Sequence, residues 1–132
     1  MNEDFIPFEL AVKLKEKGFN EPCYGYYHRG GGDNSFEVCG NGDCDFLNSK
    51  NKHRIATPTI SQVLKWLREE KKIYIVIAVS PTLSTKDKIA YYYQVYSNSN
   101  GATSDYYESE ECYAQWEDCA IGSIKSVLKY LI

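Results

Sequence analysis

The chain has 132 residues, 43% hydrophobic and 25% charged, a balance that excludes a wholly disordered or coiled-coil polypeptide. Its net charge of −3 argues against coating nucleic acid through overall charge. The longest apolar run, residues 73–79, falls far short of the ~20 residues that span a bilayer, so no membrane partner is expected. By length the chain reads as a single domain over residues 1–132.

The first nine residues carry Glu3, Asp4 and Glu9 and no basic residue. A secretory signal needs a positive start and an apolar core, so a cytoplasmic protein is expected. Residues 7–17 read as a helix. Leu10, Ala11 and Leu14 share one face with Phe8 and Val12 on its shoulder, and Gly18 stands where a helix stops. Pro22 resets the chain, and residues 23–28 read as an aromatic strand. Residues 29–35 are turn material, residues 36–39 suit a short returning strand, and residues 39–54 show no sustained period. Together they make a long polar loop over about 30–54.

Residues 59–71 predict the second helix. Thr59 and Gln62 fit a capping box, Ile60, Val63, Leu64 and Leu67 form the stripe, and Trp66 sits just off it. Three strands follow, at residues 73–79, 89–96 and 103–107, the last two joined through an Asn100-Gly101 hairpin turn. Ser109 with Glu110 and Glu111 opens a last helix that runs nearly to the end. Its stripe is Trp116, Ala120, Ile124, Val127, Leu128 and Leu131, and Gly122 is a weak point of ~1 kcal/mol relative to Ala. The expected fold is α+β: three helices packed on a mainly antiparallel sheet of three to five strands, in the order α-β-(β)-α-β-β-(β)-α. Twelve tyrosines against five phenylalanines suit such a sheet, because a Tyr packs its ring and keeps its hydroxyl wet.

Three stretches, residues 14–23, 57–69 and 120–128, resemble a family of small proteins of unassigned function encoded in prophages and mobile elements of gut anaerobes. Family members often read Ala-Pro-Thr where this chain has Thr57-Pro58-Thr59. The resemblance implies a phage-associated context and carries over no site residue.

Four chemistries bear weighing. Cys39 and Cys44 lie in a Gly-rich turn, with Cys23 and His28 as further ligands for zinc. Their spacing is at the permissive edge of structural zinc sites and no second Cys pair completes the set, so a polar loop explains them more simply. Cys23 with His28 or His53 supplies the residue types of a thiol nucleophile, but a core position suits Cys23 better. Residues 50–88 hold nine Lys and Arg against three Asp and Glu, a net +6. Lys65 and Arg68, with Tyr91, Tyr92 and Tyr93 as stacking platforms, would suit single-stranded nucleic acid. A solvated helix face explains the lysines at lower cost. No phosphate loop, dinucleotide fingerprint or nucleophile elbow is present. The expectation is therefore a non-enzymatic accessory protein that binds a protein partner through its tyrosine-rich strands, with nucleic-acid binding as the alternative.

Overall fold

A computed structural model of the chain describes residues 5–38, 48, 53–97 and 105–132. Among the described residues the class is α+β, as expected, with strands divided between two three-stranded antiparallel sheets. Two compact units partition the chain, residues 1–59 with Ile132 and residues 60–131.

In the first unit, helix α1 (Phe8–Glu16) buries Leu10, Ala11 and Leu14. Its first turn is closed from outside the helix. Phe8 N donates to Asp33 Oδ1 at 2.9 Å from a 3-10 turn at Gly32–Ser35, so a carboxylate meets the positive helix end. The other end is a Schellman motif. Gly18 has φ +93°, its N–H reaches the Lys15 carbonyl, and Phe19 N–H reaches the Leu14 carbonyl. Strands β1 (Gly25–His28), β2 (Glu37–Val38) and β3 (Arg54–Thr57) form a sheet with β1 in the centre.

β3 lies where the sequence reads as the end of a loop, and it corrects that reading. Its four residues, Arg-Ile-Ala-Thr, are too few for an alternation to show. Instead it is held by buried polar bonds. Asn48 accepts from Ala56 N at 2.9 Å and donates to the Phe19 carbonyl at 2.8 Å. The Thr57 hydroxyl and the Tyr27 hydroxyl both donate to the Ile6 carbonyl, at 2.8 and 2.7 Å. The unpatterned loop thus contributes Asn48 to the core. Cys39, Cys44 and most of the loop around them lie outside the described residues.

In the second unit, helix α2 (Ile60–Glu70) buries Ile60, Val63, Trp66 and Leu67. Leu64 is only half-buried, so the buried stripe is turned toward Trp66. Lys72, at φ 58°, swings the chain out of the helix and into β4 (Ile73–Val79). Strands β4, β5 (Tyr91–Ser97) and β6 (Asp105–Glu108) follow as an antiparallel sheet in that order. The Asn100-Gly101 turn lies outside the described residues.

Helix α3 spans Trp116–Tyr130 and buries Cys119, Ala120, Ser123, Ile124, Val127 and Leu128. The expected start at Ser109 is wrong by two turns, and the sheet explains why. β5 runs past the end of β6, leaving main-chain groups at Tyr93 and Tyr91 that need partners. Ser109 N donates to the Tyr93 carbonyl at 3.0 Å, and Tyr91 and Tyr113 exchange bonds of 2.8 Å each. Residues 109–113 are thereby tied along β5 at both ends, bending at 110 and 111 between, and Trp116 becomes an exposed first helical residue instead of a stripe position. Cys112 accordingly precedes the helix.

Gly122 is explained by the same segment. A Cβ at Gly122 would lie 2.6 Å from the Tyr113 hydroxyl and 2.9 Å from its ring. The glycine admits the ring.

Two stability measurements follow from these contacts. Gly122→Ala is expected to destabilise by about 1 kcal/mol, because overpacking outweighs the gain in helix propensity. In a Tyr113→Ala background the same change should stabilise by up to about 1 kcal/mol, measured by urea unfolding. Asn48→Ala removes two buried bonds and should lower the unfolding free energy by about 1–3 kcal/mol.

Candidate functional site

The second sheet has one covered face and one open face. On β4, Ile73 is buried and Ile75 and Ile77 half-buried, whereas Tyr74 and Val76 are exposed. Tyr107, opposite Val95, shares a 2.9 Å hydrogen bond with Ser126 of α3, which places that helix over the odd-numbered side of β5. Among the described residues no helix is placed over the even-numbered side, where Tyr74, Val76 and Tyr106 are exposed and Ala78, Tyr92, Gln94 and Tyr96 half-buried.

Three rows of side chains cross this open face in register. Tyr74, Tyr96 and Tyr106 form the first, Val76, Gln94 and Glu108 the second, and Ala78 with Tyr92 the third. The Tyr96 and Tyr106 rings pack with centroids 4.9 Å apart. Gln94 Nε2 donates to the Tyr106 hydroxyl at 3.2 Å, and that hydroxyl donates to Glu108 Oε2 at 2.8 Å. The bond to the carboxylate raises the phenol's pKa and fixes the ring. Tyr74 is 39% exposed, Val76 44% and Tyr106 49%, so the face offers broad rings, and the Tyr106 hydroxyl is already oriented.

The residues singled out in the sequence are not brought to this face together. Side chains alternate along β5, and of Tyr91, Tyr92 and Tyr93 only Tyr92 points to the open side. Tyr93 is buried, so it offers no stacking surface. Lys65 and Arg68 are exposed on α2, which packs against β4, away from the open rows. Lys71, from the same basic block, lies 5.4 Å over the Trp66 ring.

The first unit holds a second, charged cluster. Tyr26 and His28 project from the same side of β1, opposite Glu37 of β2 and Arg54 of β3. The Tyr26 hydroxyl donates to Glu37 Oε2 at 2.6 Å, and His28 Nε2 lies 3.1 Å from the same oxygen. The Arg54 guanidinium stands 5.0 Å above the Tyr26 ring. The hydrogen bond from Tyr26, then that from His28, holds the Glu37 carboxyl below the usual carboxylate range. This pairing was missed because it depends on β3 and on the β1–β2 register. The spacing of Tyr26 and His28, two apart on an extended segment, is the signal that could have found it.

His28 therefore faces Glu37 and not Cys23, which is buried with its Sγ donating to the Glu21 carbonyl. The zinc set of Cys39, Cys44, Cys23 and His28 has only the last two among the described residues, and those two are engaged elsewhere. Among the described residues no three His, Cys, Asp or Glu side chains gather as metal ligands. Burial pushes the Cys119 thiol up to about 11, so it is protonated at neutral pH. No described helix is long and apolar enough to cross a membrane.

No protein-family model, curated protein or solved structure matches the chain.

Tyr26→Phe removes the first cause of the Glu37 shift. The carboxyl should then titrate closer to the ordinary range, followed by carboxyl-carbon NMR of Glu37. A depressed carboxylate stabilises above its unfolded pKa and loses that contribution as pH falls through the folded value. The variant should lose it at a higher pH than the wild type.

Proposed function

We propose that this chain is a non-enzymatic binding protein whose open tyrosine face takes a protein partner, as an accessory protein in the phage-associated setting its sequence resembles. One observation carries the reading: Tyr74, Tyr96 and Tyr106 align across three strands on a face that no described helix covers. Aromatic side chains of this kind supply interface area at low entropic cost, and Tyr is enriched among binding hot spots.

Charge favours protein over nucleic acid as the occupant. The three rows include Glu108 and no Lys or Arg. A strand of phosphates laid along the tyrosines would meet a carboxylate and no counterion. Among the described residues the cations of the basic block lie off these rows: Arg54 on β3, Lys65 and Arg68 on α2, Lys71 and Lys72 just after it, and Lys86 and Lys88 between β4 and β5.

The test is affinity capture on the tagged full chain at rising salt, with Tyr74→Ser/Tyr106→Ser as the face variant. A discrete protein retained at high salt is expected, with binding weakened tenfold or more in the variant, the equivalent of ~1.4 kcal/mol. The reading is overturned if the main ligand is single-stranded nucleic acid, released steeply by salt and by Lys65→Glu/Arg68→Glu but not by the face variant.

A further inference from the structure

β4 is an edge strand without the features that ordinarily protect one. Its seven residues, Ile-Tyr-Ile-Val-Ile-Ala-Val, include no charge, no proline and no glycine. Among the described residues it pairs only with β5. The neighbouring surface is apolar as well. Of ten large hydrophobic residues exposed among the described residues, five fall between positions 74 and 89: Tyr74, Val76, Val79, Leu83 and Ile89.

The hydrogen-bond register fixes which main-chain groups face outward. Ser80 N donates to the Ala90 carbonyl at 2.7 Å, in register with the β4–β5 ladder. Even-numbered residues of β4 therefore bond to β5, since bonded pairs recur at every second residue. The odd-numbered residues of β5, through Tyr91 and Tyr93, bond on its other side, which gives the same parity independently. The N–H and C=O groups of Ile73, Ile75, Ile77 and Val79 thus point to the open edge.

These four positions are symmetric about Val76. An antiparallel copy of the strand would place Ile75 opposite Ile77 and Ile73 opposite Val79, and each outward group would meet a complementary one. Charge selects the same arrangement. Antiparallel pairing sets Lys71 and Lys72 beside the uncharged residues 80–82 of the other copy, whereas parallel pairing sets lysine beside lysine. We propose that the free edge of β4 pairs antiparallel with β4 of a second copy of this chain, about a two-fold axis at Val76, to make one continuous six-stranded sheet. The two open faces then join into a single surface with the two Val76 side chains adjacent, and the tyrosine rows remain exposed on either side. This dimer stands whether or not the tyrosine face takes a protein partner.

Sedimentation of the full chain should give twice the 15.1 kDa chain mass, dissociating on dilution. A monomer at every concentration overturns the proposal, even if a foreign strand adds to the edge. Hydrogen exchange on the wild type gives the register. Amides of Ile75, Ile77 and Val79 should gain protection as concentration rises, while those of Val76 and Ala78 are protected throughout. Protection that rises elsewhere, but not at these three, overturns it. Val76→Lys and Val76→Glu, each on the solvent face, should weaken the dimer about tenfold by setting like charges opposite one another. Mixing the two variants should restore it. A mixture that stays monomeric, or single variants that dimerise as the wild type does, places the axis elsewhere and sinks the proposal.

Discussion

The second unit hangs on the main-chain parity of β5. Its even residues bond to β4 and its odd residues bond to β6, Ser109 and Tyr113. In an antiparallel ladder this choice is made once and then propagates, because every residue turns both its main-chain groups the same way. Parity decides that Tyr93 and Val95 are buried while Tyr92 and Tyr96 look outward. It also decides that residues 109–113 are drawn along the strand before a helix can begin. Tyr113, held by its own main chain, then lays its ring on α3 where only Gly122 leaves room. A buried strand end without partners costs more than a delayed helix start, since each orphaned main-chain group costs about 1–3 kcal/mol.

The first unit is organised instead by buried polar side chains that act as main-chain substitutes. Ile6 N donates to the Pro58 carbonyl, and the Ile6 carbonyl accepts the hydroxyls of Tyr27 and Thr57. Asn48 ties β3 to the segment after α1. With short strands of two to four residues, ladder bonds alone fix little, and each side-chain bond restrains two distant segments. The aromatic cluster of Phe5, Phe8, Tyr27 and Phe36, with ring centroids 5.0–5.6 Å apart, fills the space that these bonds define.

What was legible in the sequence was whatever repeats. The stripes of α1 and α2 and the seven-residue apolar run of β4 are long enough to mark an element, and each folds within two residues of its expected ends. β3 is four residues with a single large apolar side chain, Ile55. The start of α3 was misplaced because Ser109-Glu110-Glu111 is good helix-start chemistry that a neighbouring strand overrode. The site was only half legible. Tyrosine-rich strands were visible, but which tyrosines face outward depends on register. Adjacent Tyr91, Tyr92 and Tyr93 necessarily divide between two faces. Tyr74, Tyr96 and Tyr106 are far apart in sequence and meet only across the ladder.

The electrostatics of the titratable groups argue in the same direction as the exposed rings. A side chain that moves protons works best with a pKa near the operating pH, so active sites raise carboxylates and depress thiols and phenols. Here the carboxylate, phenol and thiol shifts run the other way, while burial lowers the pKa of Lys15. Glu37 is held low by two donors, the phenols of Tyr26 and Tyr106 are raised by the carboxylates they bond, and burial raises Cys119. Each of these groups is locked in one protonation state at neutral pH, where it can orient a neighbour but gives or takes a proton poorly. Fixed phenols bonded to fixed carboxylates keep their geometry when a partner arrives. This lowers the ordering cost of association and supports the binding reading of the open face.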